Sequence, residues 1–190
     1  MKAVMLSIQP KWCELIASGK KTVEVRKTKP KIDVPFKCYI YMTAGDAVYP
    51  VTINGAPYTC SNVGGKCVIG EFVCDRIYNI TPNFDKPDFC NQYLCDWNWG
   101  EGTAYLSFTE MNNYLKGEKG YGWHISDLVI YDKPKELSQF RKICQSDYCH
   151  TCDYAVKKNG YLVDCDRSVK RPPQSYMFVE ELKGELNDKS

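Results

Sequence analysis

The stretch Ser7-Ile8-Gln9-Pro10-Lys11-Trp12-Cys13-Glu14-Leu15-Ile16-Ala17-Ser18-Gly19-Lys20-Lys21-Thr22-Val23-Glu24-Val25-Arg26-Lys27 decides the reading of this chain. Lys2 to Ile8 alternates and reads as a strand that runs into it. Pro10 suits a first helical turn, where its missing N–H costs nothing. Trp12, Leu15 and Ile16 recur at helical spacing, and Gly19 supplies a left-handed stop. Val23 and Val25 then alternate with Thr22, Glu24 and Arg26, which predicts a half-buried strand with a polar face. Glu24 and Arg26 share that face, about 6.5 Å apart along it. Such an acid and base, beside Lys20 and Lys21, could bind a nucleobase edge or a phosphate, or shuttle a proton. Lys21 could also serve as a nucleophile or base if burial lowers its pKa. The alternative is a solvated lysine run with a routine Glu24–Arg26 pair.

Working outward, Cys38 to Met42 reads as a strand, and Asn54-Gly55 marks a protruding hairpin over 51–58. Lys66 to Ile80 reads as one long strand, with Gly70 as a bulge or bend. Thr109 to Lys116 reads as a capped helix ending at Gly117, and Tyr121 to Tyr131 as a strand. Pro134 to Phe140 reads as a short helix, and Ser175 to Glu181 as the last strand. His124 is expected to be a hydrogen-bonded strand residue, with no triad deducible from spacing. Strands dominate and helices are short, which points to a small mixed barrel decorated by helices. The expected organisation is one α+β domain over 1–181, with insertions near 46–64, 81–106 and 144–170, and a polar tail over 182–190.

The segment just dissected resembles the start of ASCH domains. Three later pieces agree in order: Val68-Ile69-Gly70-Glu71-Phe72, then Gly122-Trp123-His124-Ile125-Ser126 with Tyr131-Asp132-Lys133-Pro134, then Arg171-Pro172-Pro173-Gln174-Ser175-Tyr176. The chain is similar to ASCH proteins of Gram-positive bacteria and their prophages. The resemblance implies a PUA-like β-barrel with a cleft beside the first helix and an RNA- or nucleotide-linked role. It implies ligand contacts from Lys20, Lys21, Glu24, Arg26, Lys27, Gln174 and Ser175. Some members are amidohydrolases that deacetylate N4-acetylcytidine, and some are reported as ribonucleases, which would make Lys21 and Glu24 catalytic. The deacetylases use a Lys, a Thr and a Glu. Lys21 matches the Lys, but Glu24 occupies the Thr position, and Glu101 is the candidate for the third. That departure argues against acetylcytidine hydrolysis.

The chain holds 190 residues, of which 44% are hydrophobic and 25% charged, so collagen-like, coiled-coil and wholly disordered readings are excluded. No apolar run is long enough for a transmembrane helix, and the N-terminus is too short in apolar residues for a signal peptide. A cytoplasmic monomer is expected. The net charge of +2 is a cancellation: residues 1–37 carry +6, 38–132 carry −6, 133–176 carry +4 and 177–190 carry −2. Basic ends and abundant aromatics, including Trp12, Trp97, Trp99 and Trp123, suit RNA. The acidic middle and the hairpin would instead suit a protein partner, as in a phage-type adaptor.

The 11 cysteines are the compositional oddity. Without a secretion signal, reduced thiols are expected rather than a disulfide framework. Cys144, Cys149, Cys152 and Cys165 give C-x4-C-x2-C-x12-C, which fits a structural zinc site of four thiolates. His150 is an alternative ligand, and an iron–sulfur cluster or no metal are the competing readings. Arg141, Lys142, Lys157, Lys158, Arg167, Lys170 and Arg171 would make this a basic knuckle suited to RNA. Cys60, Cys67, Cys90 and Cys95 are more loosely spaced and read as buried or idle thiols.

Overall fold

The computed structural model describes residues 1–44, 51–53, 56–58, 66–82, 93–95, 103–144, 155–159 and 161–182. In chain order the elements are β1 (Lys2–Ile8), α1 (Pro10–Ala17), β2 (Val23–Arg26), β3 (Phe36–Met42), β4 (Val51–Ile53), β5 (Ala56–Tyr58), β6 (Cys67–Cys74), β7 (Ile77–Pro82) and β8 (Tyr93–Cys95). They continue with α2 (Phe108–Leu115), β9 (Gly120–His124), β10 (Ser126–Lys135), β11 (Ala155–Lys158), β12 (Tyr161–Cys165) and β13 (Tyr176–Glu180).

Two sheets face each other. The first runs β10-β6-β3-β1-β13, and the second runs β2-β9-β7-β8. Among the described residues, only β1 and β3 pair in parallel, because α1 and β2 lie between them in sequence. The main core fills the space between the sheets. Val4, Leu6 and Ile8 of β1 meet Cys13 and Ile16 of α1, Ile40 and Met42 of β3, and Trp123 of β9. The outer face of the first sheet is covered by Phe140 and Val169, and Val23, Val25, Tyr78 and Ile80 pack against Met111 and Leu115 of α2. The sheet-dominated mixed fold is as expected. A closed barrel is not formed among the described residues: β2 and β13 are sheet edges, and the seam between them is crossed by side-chain bonds.

Local details follow from particular residues. Gly19 takes φ +71° after α1. Ser107 and Glu110 form a reciprocal capping box on α2, and Lys116 and Gly117 end it in left-handed conformations. A Cβ on Gly70 would meet the Val129 carbonyl oxygen at 2.4 Å, so this glycine is what lets β10 approach β6. The register of β3 on β6 also shifts there.

Five expectations are corrected. The strand expected over 66–80 is two, broken at Asp75-Arg76, and the one expected over 121–131 is broken at Ile125. Period-2 patterning continues through both breaks, so sequence alone does not see them. The helix expected after Pro134 is a single 3-10 turn, Leu137–Gln139. The hairpin β4–β5 has the expected antiparallel register, but β4 lies beside α1 rather than standing free, while Asn54 and Gly55 are outside the described residues. Lastly, Cys67 is disulfide-bonded. Pairing depends on which sulfurs the fold brings together, which counting cannot reveal. Cys13, Cys38 and Cys74 are free and buried, as small apolar residues.

Candidate functional site

The strand β2 buries both of its faces, contrary to the half-exposed strand expected. Antiparallel pairing with β9 sets Glu24 against Trp123 and Arg26 against Tyr121. Val23 and Val25 face the core under α2. Glu24 and Arg26 therefore face the seam toward β1 and β13. There Arg26 Nη2 donates to the Ser7 carbonyl at 2.8 Å and Nη1 to the Ser175 carbonyl at 3.4 Å. This clamp helps explain why a charged face can be buried: both terminal nitrogens of Arg26 reach backbone carbonyls across the seam.

Lys21, Glu24 and Arg26 have 2%, 6% and 6% exposure, the only buried charged residues among those described. Glu24 Oε1 lies 3.0 Å from Arg26 Nη2, and Glu24 Oε2 lies 3.4 Å from Lys21 Nζ. Lys21 Nζ also donates to the Ala104 carbonyl at 2.5 Å and sits 5.2 Å from the centre of the Trp12 ring. Burial pulls the Lys21 pKa down from its ordinary value, and the charge and hydrogen bond of Glu24 work against that fall. Arg26 Nε is buried without a hydrogen-bond partner.

These three residues form the floor of a cavity of about 610 Å³. That size accommodates a nucleoside or nucleotide. Its walls include Trp12, Gln9, Tyr114, Asn113, Gln174 and Ser175. At the mouth, Lys11 of α1 bonds Glu110 of α2 at 2.5 Å. That bond and the Ser107 cap hold the Glu110 carboxyl down at about 2. Burial raises the Tyr114 hydroxyl above its ordinary value. The Cys13 thiol, beneath α1, is raised well above its usual range by burial and is no nucleophile.

The structure thus brings together Lys21, Glu24, Arg26, Gln174 and Ser175 of the expected ligand set. Lys20 and Lys27 are exposed and outside the cavity lining, with Lys27 Nζ 5.3 Å from the Tyr114 ring centre. Glu101 is outside the described residues; the carboxylate found at the mouth is Glu110. Its capping-box spacing from Ser107 signals a helix start, and nothing in that spacing signals a cleft. Asn113 and Tyr114 carried no signal either, since α2 is remote in sequence.

His124 lies away from this cavity. Its Nδ1 is 2.6 Å from Asp75 Oδ1. Although burial works the other way, the hydrogen bond and charge of His124 hold Asp75 below its ordinary range. The pair joins the β6–β7 break to the end of β9, so His124 is the hydrogen-bonded residue expected. Of the four-cysteine set, Cys144 and Cys165 are part-exposed, while Cys149, Cys152 and His150 lie outside the described residues.

Residues 6–77 match the ASCH domain. The matched stretch contains Lys21, Glu24 and Arg26. Crystal structures of ASCH from Zymomonas mobilis are similar to the chain. The unmutated protein is 24% identical with a TM-score of 0.46, covering 71% of this chain and 73% of that one. A tyrosine-to-phenylalanine mutant is 23% identical with a TM-score of 0.47, covering 72% and 77%. No match is found among curated proteins. No helix among the described residues is long and apolar enough to cross a membrane.

Proposed function

We propose that the cavity between α1, α2 and β2 binds a nucleotide or a nucleobase of RNA. The observation that carries this reading is the Lys21–Glu24–Arg26 floor beneath Trp12. Glu24 accepts from both cations, while Arg26 Nε keeps an unused donor. A ligand with carbonyl or phosphate acceptors fits that excess of donors. Trp12 and Tyr114 offer rings to a base, and the amides of Gln9, Asn113 and Gln174 can read a base edge. Fluorescence anisotropy against single-stranded and structured RNAs tests it. Lys21→Ala should weaken binding at least tenfold. Absence of salt-sensitive binding at micromolar protein sinks the proposal.

A second reading, hydrolysis of a modified nucleoside or RNA, is favoured by Lys21 itself. Ala104 and Glu24 take two of its N–H bonds. With its pKa lowered, a neutral amine would turn its lone pair elsewhere, as a base or nucleophile. Turnover unchanged in both Lys21→Ala and Glu24→Ala would remove this reading.

We also propose that the Cys144, Cys149, Cys152 and Cys165 set holds a structural zinc ion. Support comes from the neck of the excursion. Arg141 bridges Ser168, and Lys142 N donates to the Arg167 carbonyl at 2.7 Å. Cys144 and Cys165 each lie three residues from this bridge in sequence. Purified protein should contain about one zinc per chain and lose stability in chelator; less than about 0.2 zinc, with stability unchanged in chelator, rejects the site.

A further inference from the structure

We infer that Lys11 is a bolt across the mouth of the cavity: its side chain reaches from α1 to Glu110 on α2, covers the Trp12 ring, and must swing away before a ligand can use that ring. What enters rests on the nucleotide reading of the cavity, whereas the bolt itself does not.

The catch that receives the bolt is fixed. Glu110 sits in the first turn of α2, and its Oε2 accepts from the Ser107 backbone N–H at 2.9 Å and from the Ser107 hydroxyl at 2.8 Å. Its Oε1 is left for Lys11, whose Nζ lies 2.5 Å away. The Lys11 and Ser107 bonds that hold this carboxyl down at about 2 keep the catch charged at any ordinary pH. Met111 and Leu115, on a neighbouring stripe of α2, are buried against β2 and β7. Cys13 and Ile16 anchor α1 in the main core in the same way. Neither helix can leave the mouth without exposing its apolar stripe, so the movable part is the lysine.

The bolt, by contrast, is loosely held. Lys11 follows Pro10 at the positive end of α1, a helix with no acidic side chain in its first turn and no side-chain cap. A cation gains nothing there from its own helix. Among the described residues its ammonium meets one carboxylate, Glu110, and one ring, Trp12, whose centre is 4.2 Å away. The side chains of Lys11 and Glu110 keep 61% and 38% exposure. Lys21 approaches the same ring at 5.2 Å but is buried and bonded to the Ala104 carbonyl, so it stays in place. An exposed ion pair and an exposed cation–π contact together favour the closed position by about five- to thirtyfold. That ratio covers the ring in the free protein and still lets a ligand overturn it. A site open for only part of the time binds more weakly by the same factor.

The test measures acrylamide quenching of tryptophan fluorescence in the full chain. Trp12→Phe, alone and combined with each variant, subtracts the contributions of Trp97, Trp99 and Trp123. Acrylamide is uncharged, so removing a nearby charge does not act on it directly. Lys11→Ala should raise the Trp12 share of the quenching several-fold. Glu110→Gln, which keeps the helix cap because glutamine also serves at this position, should raise it part of the way. About 1 M sodium chloride, at which the Debye length falls to about 3 Å, should raise it in wild type and leave Lys11→Ala unchanged. Uridine, an uncharged nucleoside, should bind Lys11→Ala about five- to thirtyfold more tightly than wild type in calorimetry. Equal Trp12 quenching in wild type and both variants overturns the bolt. Uridine binding that Lys11→Ala weakens or leaves unchanged overturns it too, while leaving the cavity reading intact. Trp12 uncovered in the variants, with uridine bound by none of the three proteins, upholds the bolt and counts against the nucleotide reading instead.

Discussion

The cavity floor and the outer face of the first sheet are built from the same residue types and behave oppositely. At the floor, Lys21 faces Glu24 at 3.4 Å with almost no exposure. On the outer face, Lys37 lies 2.8 Å from Glu71 and 3.4 Å from Glu181, and about a quarter of each side chain is exposed. Tyr131 donates to the other oxygen of Glu71 at 2.5 Å. Burial works against the charge of both lysines. It wins at Lys21, whose pKa falls. At Lys37 it is outweighed by the hydrogen bond and charge of Glu71, with Tyr39 and Glu181 adding to them, and the pKa rises. The lesson is one of magnitudes. A pair in partial contact with water keeps its solvation and gains attraction, whereas a pair sealed under two helices loses solvation that one carboxylate cannot restore. The outer pair fastens the chain near Glu181 to the sheet. The floor holds charge at a cost, which is the condition expected of a site shaped for a ligand.

The comparison breaks most sharply at the carboxylates. Glu24→Gln leaves Lys21 and Arg26 buried without a counter-charge and should cost about 3–5 kcal/mol in urea unfolding. A loss below about 1 kcal/mol would mean that water reaches the floor.

The pH dependence sharpens the same contrast at smaller scale. Lys21 has a folded pKa below the ordinary 10.5, so the unfolded chain binds more protons in the window just beneath that value. Stability from this group therefore rises as pH climbs toward 10.5. Lys37 has its folded pKa above 10.5, so its contribution is complete below that value and fades as pH passes above it. Urea midpoints measured from pH 7 to 10 should rise with pH in wild type relative to Lys21→Met. Identical pH profiles for the two proteins would contradict the lowered pKa.

The smallest effect is expected on the outer face. Glu71→Gln keeps the hydrogen-bond acceptor for Tyr131 and should cost about 1 kcal/mol or less, with the loss shrinking in high salt. A loss matching that of Glu24→Gln would erase the distinction between the two regions.

Much of this was legible in the linear chain. The strand, proline-started helix, Gly19 stop and second strand all follow from local patterning over Lys2 to Arg26, because caps and periodicity act within a few residues. The same stretch named Lys21, Glu24 and Arg26. The capped helix expected over Thr109 to Lys116 is likewise found as α2. What local patterning could not supply is burial. An alternating strand reads as half-exposed, yet β2 is covered on one face by α2 and on the other by the seam to β1 and β13, whose bonds to Arg26 span 19 and 149 positions. The sequence by itself thus determined which residue types stand at the head of the site and in what order. Only the tertiary structure decided that they form a floor, that Glu110 stands at its mouth, and that Lys21 and Lys37 shift in opposite directions. Solvation depends on everything packed around a charge, and that is settled by long-range contacts alone.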